Sequence, residues 1–154
     1  MRQELDHELC EKYPKIFRDR HAPMTQTAMC WGFDCGDGWY NIINALCFQI
    51  QSYIDWKNSQ RQLLLTSNPY DRPIPDEVPQ VVATQVKEKF GTLRFYWGGH
   101  GGHPITINIM DDIVYAAEIK SAYICEECGK YGELRTGGWW IKTLCGTHAE
   151  EQGY

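Results

Sequence analysis

Apolar residues recur at the three- and four-residue spacing of an amphipathic helix in three stretches of the chain. The first stretch covers residues 3–13 and stops before Pro14, the second begins near Trp39, and the third covers residues 107–120. Asp37 precedes the second stretch and is expected to cap that helix. In chain order, the apolar positions of the three predicted helices are Leu5, Leu9 and Tyr13, then Trp39, Ile43, Leu46, Ile50 and Tyr53, and then Ile109, Ile113, Ala116 and Ala117.

Between the second and third stretches the apolar spacing changes from helical to alternating. Residues 66–80 contain four prolines, which exclude a continuous helix and predict an ordered connector. Residues 81–97, VVATQVKEKFGTLRFYW, form two β-rich runs around a glycine, which is typical of an antiparallel hairpin. Alternation predicts an inner face of Val82, Val86, Leu93 and Phe95 and an outer face of Lys87, Lys89, Arg94 and Tyr96.

The C-terminal part of the chain carries side chains that bind metals. Cys125 and Cys128 are separated by two residues, and after sixteen intervening residues Cys145 and His148 repeat that spacing. A C-x-x-C turn directs two thiolates at one ion, and the second pair lies on one face if a helix begins there. The intervening segment, KYGELRTGGWWIKTL, predicts a hairpin with TGG as its turn and WWIKTL as its return strand. This order of knuckle, hairpin and helix resembles the treble-clef class of zinc fingers.

Three cysteines and one histidine fill all four positions of a tetrahedral zinc site. No position is then left for water or substrate, which a catalytic zinc requires. We therefore expect one zinc ion per chain with a structural role. The alternative is two unrelated thiol pairs, but Gly129 directly follows the first pair, where a knuckle turn needs a residue that tolerates positive φ.

Length and composition indicate one α+β domain over residues 1–154. Of these residues 43% are hydrophobic and 23% charged, which is enough for one buried core and leaves little room for a second domain. We divide the chain into a helical part at 1–68, a hairpin with a helix at 80–121 and a zinc subdomain at 122–154. No eighteen-residue apolar run and no signal peptide are recognised, and seven cysteines without such a signal favour the reducing cytoplasm.

The N-terminal cysteines allow two interpretations. Cys30, Cys35 and Cys47 have a spacing that permits a second metal site, for which Cys10 can supply a fourth ligand. Alternatively, they are buried apolar side chains, as free cysteines often are.

Two glycine-rich segments are equally open to interpretation. CGDGW at 35–39 can bind an anion at its backbone amides or simply form the entry to a helix. His100 and His103 can bind a metal or act as a base, but no carboxylate or cysteine lies nearby in sequence. Exposed histidines without a role are therefore favoured.

Charge argues against a protein built as a whole to follow a phosphate backbone, because the net charge is −5 at pH 7. The outer hairpin face is a local exception. Its cations can contact phosphates while its tyrosine stacks on a base. The alternative is a solvated face whose lysines prevent pairing with other strands. The residues concerned are Lys87, Lys89, Arg94 and Tyr96.

Four segments in this order resemble a group of small zinc-binding proteins encoded by tailed phages and prophages. They are CGDGWYNIINALC, QVKEKFGTLRFYW, YAAEIKSAYICEECG and GWWIKTLCGTH. The resemblance extends from about Tyr13 to His148, and the GGHGGHPIT loop departs from it. It implies a phage or prophage gene, the cytoplasm of a bacterial cell and an accessory role. It implies no activity and no catalytic residues.

The sequence supports functions of three classes. We expect foremost a non-enzymatic accessory protein that binds a host or phage protein complex, for example as an inhibitor of a bacterial defence system. Six tryptophans and nine tyrosines favour this function, because these residues dominate protein interfaces. The second class is a zinc-finger-type regulator that binds nucleic acid. The third is a ligand-sequestering protein or an enzyme with an aromatic pocket, although hydrolase, metalloprotease and deaminase motifs are not found.

Overall fold

The computed structural model describes residues 1–99, 101 and 103–154. Within these residues the chain forms four α-helices and five strands, so the predicted mixed α+β class is confirmed. The helices are Gln3–Lys12 (α1), Tyr40–Thr66 (α2), Pro104–Ser121 (α3) and Gly146–Gln152 (α4). The strands are Phe33–Asp34 (β1), Val82–Lys89 (β2), Thr92–Gly98 (β3), Glu133–Arg135 (β4) and Lys142–Leu144 (β5). Short 3₁₀ turns occupy Ala28–Trp31 and Asp37–Trp39. The connector predicted for residues 66–80 contains neither helix nor strand after its first residue, Thr66, which ends α2.

The first three strands form one sheet in the order β1, β2, β3. β1 runs parallel to β2, and β2 runs antiparallel to β3, so the hairpin predicted for residues 81–97 is confirmed. Its two-residue turn consists of Phe90 and Gly91, whose φ angles of 54° and 79° are both positive. Two successive residues with positive φ match the right-handed twist of the strands and make a tight hairpin.

An irregularity in β2 changes which residues face the main core. The strand register passes from Ala83 to Gln85, so Thr84 is an extra residue without a cross-strand partner. Alternation therefore shifts by one position, and Ala83 joins the main core in place of Val82. The prediction for Val82 was wrong in this respect, although its side chain is buried. The other predicted inner residues belong to the core, namely Val86, Leu93 and Phe95.

Helix α2 supplies most of the helical side of the main core. Its predicted stripe is largely confirmed, because Trp39, Ile43, Leu46 and Ile50 are almost completely buried and Tyr53 packs against them while half-buried. α1 contributes Leu9, and the 3₁₀ turn before β1 contributes Met29. The core therefore lies between these helices and the inner face of the sheet.

Helix α3 has a different buried face from the predicted one. It packs against α2 on one side and β3 on the other, and its buried residues are Met110, Val114, Ala117 and Ser121. Only Ala117 of the predicted stripe is buried. The remaining three are half-buried or exposed, namely Ile109, Ile113 and Ala116. Because α3 packs between α2 and β3, it buries the side of the helix that faces these two elements. The apolar spacing alone therefore predicted the wrong buried side.

Asp37 is not the cap of α2. The residue before that helix is Trp39, and no side chain caps its first amides. The Asp37 carboxylate instead accepts a hydrogen bond of 2.8 Å from the Arg2 amide and lies 3.0 Å from Arg2 Nε. Asp37 therefore fixes the start of α1 rather than the start of α2.

The outer edge of β3 is covered by side chains of α3. The Leu93 amide donates to Ser121 Oγ at 2.8 Å, and the Phe95 amide donates to Glu118 Oε1 at 3.1 Å. Two backbone donors of an edge strand are thereby satisfied without another strand. Among the described residues, no helix is long and apolar enough to cross a lipid bilayer.

Candidate metal centre

Four short elements bring the predicted ligands together. Cys125 and Cys128 lie in a turn closed by a 2.9 Å hydrogen bond from the Gly129 amide to the Cys125 carbonyl. Gly129 has a φ of 75°, as predicted for a knuckle turn. Cys145 is the N-cap residue of α4, and His148 lies in the first turn of that helix. Strands β4 and β5 connect the two pairs as an antiparallel hairpin.

The hairpin between the ligand pairs is shorter than the sequence predicts. Its return strand β5 covers only Lys142–Leu144, and residues 136–141 form the connection. Trp139 and Trp140 therefore lie in the turn instead of the strand. Both side chains are exposed, at 100% and 76%.

The ligand atoms of the four side chains all lie within 4.8 Å of one another. Nδ1 of His148 is 3.4 Å from the sulfur of Cys125 and 3.3 Å from that of Cys145. The sulfurs of Cys128 and Cys145 are 3.8 Å apart. This group can bind one metal ion, and it is the only such group found within residues 1–99, 101 and 103–154.

The surroundings of Cys125 favour its charged form, whereas burial and the neighbouring thiols raise the pKa of Cys128. Burial raises the pKa of Cys125, but backbone N–H groups directed at its sulfur outweigh burial and lower the pKa to about 7. The thiolate, which is the form that binds a metal, is therefore accessible near neutral pH. On the other side of the imidazole, Nε2 of His148 faces the Glu151 carboxylate at 3.8 Å. A carboxylate in this position orients a ligating histidine.

The knuckle is docked on the loop that leads into α2, mainly through Glu126. The Gly38 amide donates to the Glu126 backbone carbonyl at 2.7 Å, and the Gly36 amide donates to Glu126 Oε1 at 2.9 Å. The indole Nε1 of Trp39 donates to the carbonyl of Ile124 at 2.8 Å. CGDGW therefore forms the entry to α2, as the second interpretation predicts, and two of its amides are occupied by the side chain and the backbone of Glu126.

Close backbone packing explains why this loop contains glycines. A Cβ atom on Gly36 would overlap the backbone of Glu126, and one on Gly38 would overlap the backbone of Cys125 and Gly129. At the opposite end of the subdomain, Thr143 Oγ1 donates to the carbonyl of Gly91 at 2.6 Å. None of these contacts was predicted from the sequence, where the two glycines of CGDGW are the only signal of the close packing against the knuckle.

Glu126 has a buried carboxyl group, and only one of its two oxygens has a hydrogen-bond partner among the described residues. Oε1 accepts from Gly36, whereas Oε2 is buried and has no hydrogen-bond partner among the described residues. Burial raises the pKa of Glu126, while the Gly36 amide and Lys142 act in the opposite direction. The residue joins the knuckle to the main core and was not identified from the sequence.

The structure does not bring Cys30, Cys35 and Cys47 into a metal-binding group within the described part of the chain. Cys35 and Cys47 are buried in the main core, and burial raises the pKa of both thiols, that of Cys35 to about 12. Cys10 lies beside Asp6, with 3.6 Å between its sulfur and Oδ1. Burial and this carboxylate raise the pKa of Cys10 to about 12. The thiols of Cys10, Cys35 and Cys47 are therefore held in the protonated form.

The predicted outer face of the hairpin lies on one side of the sheet. Lys87 pairs in register with Arg94, and its Nζ is 5.6 Å from the Tyr96 ring. Arg94 Nη1 lies 3.8 Å from Glu118, and Lys89 is exposed near the turn.

The two histidines of the glycine-rich loop have different outcomes. His100 lies outside the described residues. His103 is the N-cap of α3, where its Nδ1 accepts from the Ile105 amide at 3.3 Å. Its observed contact is therefore a helix cap.

The described residues thus present one group of metal ligands, on a subdomain that is docked against the start of α2. All four ligands come from this chain, two from a turn and two from the start of a helix. Comparison of the chain with protein-family models, with curated proteins and with solved structures finds no match in any of the three.

Proposed function

We propose that this chain is a zinc-stabilised binding protein that docks on a protein partner through its C-terminal hairpin. Two features support the proposal. One is the ligand set of the C-terminal subdomain. The other is a group of exposed apolar residues, here called the aromatic tip, formed by Phe90, Leu134, Trp139, Trp140 and Ile141.

The ligand atoms and their spacing favour zinc. Three thiol sulfurs and one imidazole nitrogen suit a borderline-soft ion that prefers tetrahedral geometry. With Zn–S distances of about 2.3 Å and a Zn–N distance of about 2.0 Å, the edges of the tetrahedron are about 3.8 Å between sulfurs and about 3.5 Å between sulfur and nitrogen. Three of the six separations, at 3.8 Å, 3.4 Å and 3.3 Å, are close to these edges, and all six are within 4.8 Å.

The same ligand count supports a structural role. Four protein ligands complete the coordination, as in the treble-clef fingers that the order of elements resembles. The second core of the protein is small: its buried residues are Cys125, Leu144 and Ala149. A core of this size does not hold a seven-residue helix in place without additional bonds. Metal binding would supply them.

The aromatic tip supports a role in binding. Leu134 and Ile141 lie against Gly91, which places Phe90 of the other hairpin beside the C-terminal turn. The Tyr154 hydroxyl donates to the Trp140 carbonyl at 2.6 Å, which connects this turn to the end of the chain. Exposed apolar patches are typical of interaction sites, and tryptophan is enriched among the residues that carry binding energy.

The exposure of Trp139 is the single observation that carries the proposed function, because its large apolar side chain is completely exposed. The resemblance to phage and prophage proteins leads us to propose a host or phage protein complex as the partner, in the cytoplasm of a bacterial cell. Inhibition of a bacterial defence system is one function that such docking would serve.

Metal analysis tests the first part of the proposal. Protein purified under reducing conditions without added metal should contain one zinc ion per chain by elemental analysis. Cys128→Ser should lower that content, whereas Cys30→Ser should leave it unchanged. Two zinc ions per chain in the wild type would point to a second site at the N-terminal cysteines. None at all would refute the zinc assignment.

Partner capture tests the second part. Immobilised wild type, a Trp139→Ser/Trp140→Ser variant and a Trp56→Ser control are exposed to a bacterial lysate, and bound proteins are identified by mass spectrometry. Trp56 is an exposed tryptophan of α2, away from the aromatic tip. A protein that wild type and control retain and the tip variant loses is then purified. Calorimetry should show a loss of about 2 kcal/mol or more with the tip variant. If no protein distinguishes the tip variant from the control, the tip is not the docking site.

A further inference from the structure

A second surface, formed by residues other than those of the aromatic tip, lies between β3 and α3. It is a groove of about 270 Å³ on the outer side of the β2–β3 hairpin. Thr92 and Arg94 of β3 line one side, and Tyr115, Ile119 and Tyr123 line the other. The groove therefore adjoins the outer hairpin face that was predicted from the sequence. The sequence did not predict that residues of α3 would lie beside this face.

Two tyrosines with accessible rings line this groove, and a third lies on the same face of β3. Tyr115 and Tyr123 are 64% and 57% exposed, and Tyr96 on β3 is half-exposed. Tyr115 and Ile119 are four residues apart, which places them about 6 Å apart along the helix axis. Tyr123 follows after four more residues, just beyond the end of α3. Tyr115 and Tyr123, with Ile119 between them, thus line the α3 wall of the groove.

Charged side chains of both signs lie around the groove. Lys87, Lys89 and Arg94 lie on the same face as the groove, within a chain whose net charge is −5. Four carboxylates lie on or beside this face, and one of them, Glu118, also lines the groove. Glu118 pairs with Arg94 and also accepts from a backbone amide, and Asp34 stands in register with Lys87 on β1. The exposed Asp111 and Asp112 precede Tyr115 on α3 by four and three residues and lie on the same side of the helix. Lys87 and Lys89 form no ion pair among the described residues, so they are the cations available to an anionic ligand.

We propose that this groove binds single-stranded nucleic acid. The tyrosine rings provide faces on which unpaired bases stack, and the two lysines with Arg94 lie beside them to contact the phosphates. Base stacking on aromatic side chains tolerates any sequence, because every base has a π-face. A duplex fits less well, since its bases are already stacked and three cations contact few of its phosphates.

The proposal predicts how binding depends on salt. Each phosphate contact of a single strand contributes a slope of about −0.7 to the logarithm of affinity against the logarithm of salt concentration. Three cations therefore give a slope of about −2 at most. Lys87→Gln/Lys89→Gln should make the slope shallower by about 1.4. Tyr115→Ala and Tyr123→Ala should each weaken binding by about fivefold or more and leave the slope unchanged.

Fluorescence anisotropy measures these quantities with a labelled oligothymidine of about 12 nucleotides, which lies within known site sizes of about 4–16. Titrations between about 50 mM and about 200 mM salt give the slope. The matched controls are Lys120→Gln, whose side chain is exposed on the α2 side of α3, and Tyr70→Ala in the connector. Both controls should bind like wild type. All substituted side chains are at least partly exposed, so melting temperatures should agree within a few degrees.

Several results would overturn the proposal. They are no binding at the lowest salt, tighter binding of a duplex of the same length, or equal losses in groove variants and controls. A loss confined to the Trp139→Ser/Trp140→Ser variant would assign nucleic-acid binding to the aromatic tip instead. The proposal does not depend on the protein partner, because the groove variants leave the aromatic tip intact.

Discussion

At the scale of single residues, Gly38 joins the metal subdomain to the main core. Its amide donates to Glu126, and its Cα faces the backbone of Cys125 and Gly129 without room for a side chain. Flexible side-chain ends can move away from an added atom, but backbone atoms of a knuckle turn cannot do so without moving the ligands. The lack of a Cβ atom at this position is therefore a structural requirement.

Gly38→Ala should destabilise the protein and weaken metal binding. The added methyl group overlaps backbone atoms, and overpacking of this kind costs about 1–3 kcal/mol. Urea denaturation measures the loss, and competition with a chromogenic chelator measures the change in metal affinity. Gly137→Ala is the matched control, because an added Cβ atom meets nothing within 4 Å there. Equal stability of the two variants would contradict the close approach.

Phe90 occupies a backbone conformation that most side chains avoid. Its φ of 54° lies in the left-handed region, and its ring is 67% exposed, so burial does not compensate for the strain. Strain at an exposed aromatic residue is typical of a position kept for binding. Phe90→Asn should raise the free energy of unfolding by about 0.5–1 kcal/mol, since asparagine tolerates positive φ.

The same Phe90→Asn substitution should weaken capture of the protein partner, because Phe90 belongs to the aromatic tip. Thermal denaturation and calorimetry on one preparation would give both effects. Phe48→Asn is a control for the loss of an exposed phenylalanine elsewhere on the surface. If Phe90→Asn stabilises the fold without changing affinity, Phe90 lies outside the interface.

At the scale of elements, the C-terminal subdomain consists of pieces too short to persist alone. α4 has seven residues, and β4 and β5 have three each. An isolated helix of this length is unstable in water, and so is an isolated two-stranded hairpin. The four ligands connect these pieces at one point.

Cys128→Ser should therefore unfold the subdomain, because serine is a poor substitute for a thiolate at zinc. Residues from about Ile124 onward should become sensitive to protease, which mass spectrometry of the fragments would detect. Since the knuckle holds Gly36 and Gly38, hydrogen exchange at the start of α2 should also become faster. Cys30→Ser should do neither. Unchanged protease resistance in Cys128→Ser would show that the subdomain does not need the fourth ligand.

The spacing of residues along the sequence predicted the helices and strands better than it predicted the contacts between them. The stripe of α2 was correct because all its apolar residues face one continuous core, and the metal ligands were found because their spacing is itself a local property. Val82 was misplaced because nothing in the sequence marks the extra residue Thr84. Glu126 was missed because its partners are about ninety residues away, at Gly36 and Gly38.

At the scale of the whole molecule, the fold has a large core and a small one that depend on each other differently. The large core contains its own helices, sheet and buried thiols. The small core consists of Cys125, Leu144 and Ala149, and a second metal ligand, Cys145, packs against it. Loss of metal should therefore act on the small core first. Alkaline pH that ionises the buried thiols of Cys35 and Cys47 should act on the large core.

The buried thiols of the large core make its stability depend on alkaline pH. Burial raises the pKa of Cys35 to about 12 and raises that of Cys47 as well, from an ordinary value of 9.0. Between pH 9 and the raised values, the unfolded chain releases these protons and the folded chain keeps them. The unfolded state is then favoured, so the free energy of unfolding is fully retained below about pH 9 and falls as the pH rises above it.

Each thiol should contribute a slope of about −1.4 kcal/mol per pH unit above pH 9. Guanidinium denaturation of reduced protein at several pH values would give the slope for wild type and for Cys35→Ala/Cys47→Ala. The variant should be less stable at neutral pH because it leaves small cavities, yet its slope above pH 9 should be shallower. Cys30→Ala controls for the loss of a cysteine that is not in the core. An unchanged slope in the double variant would mean that other groups, and not the buried thiols, cause the alkaline loss of stability.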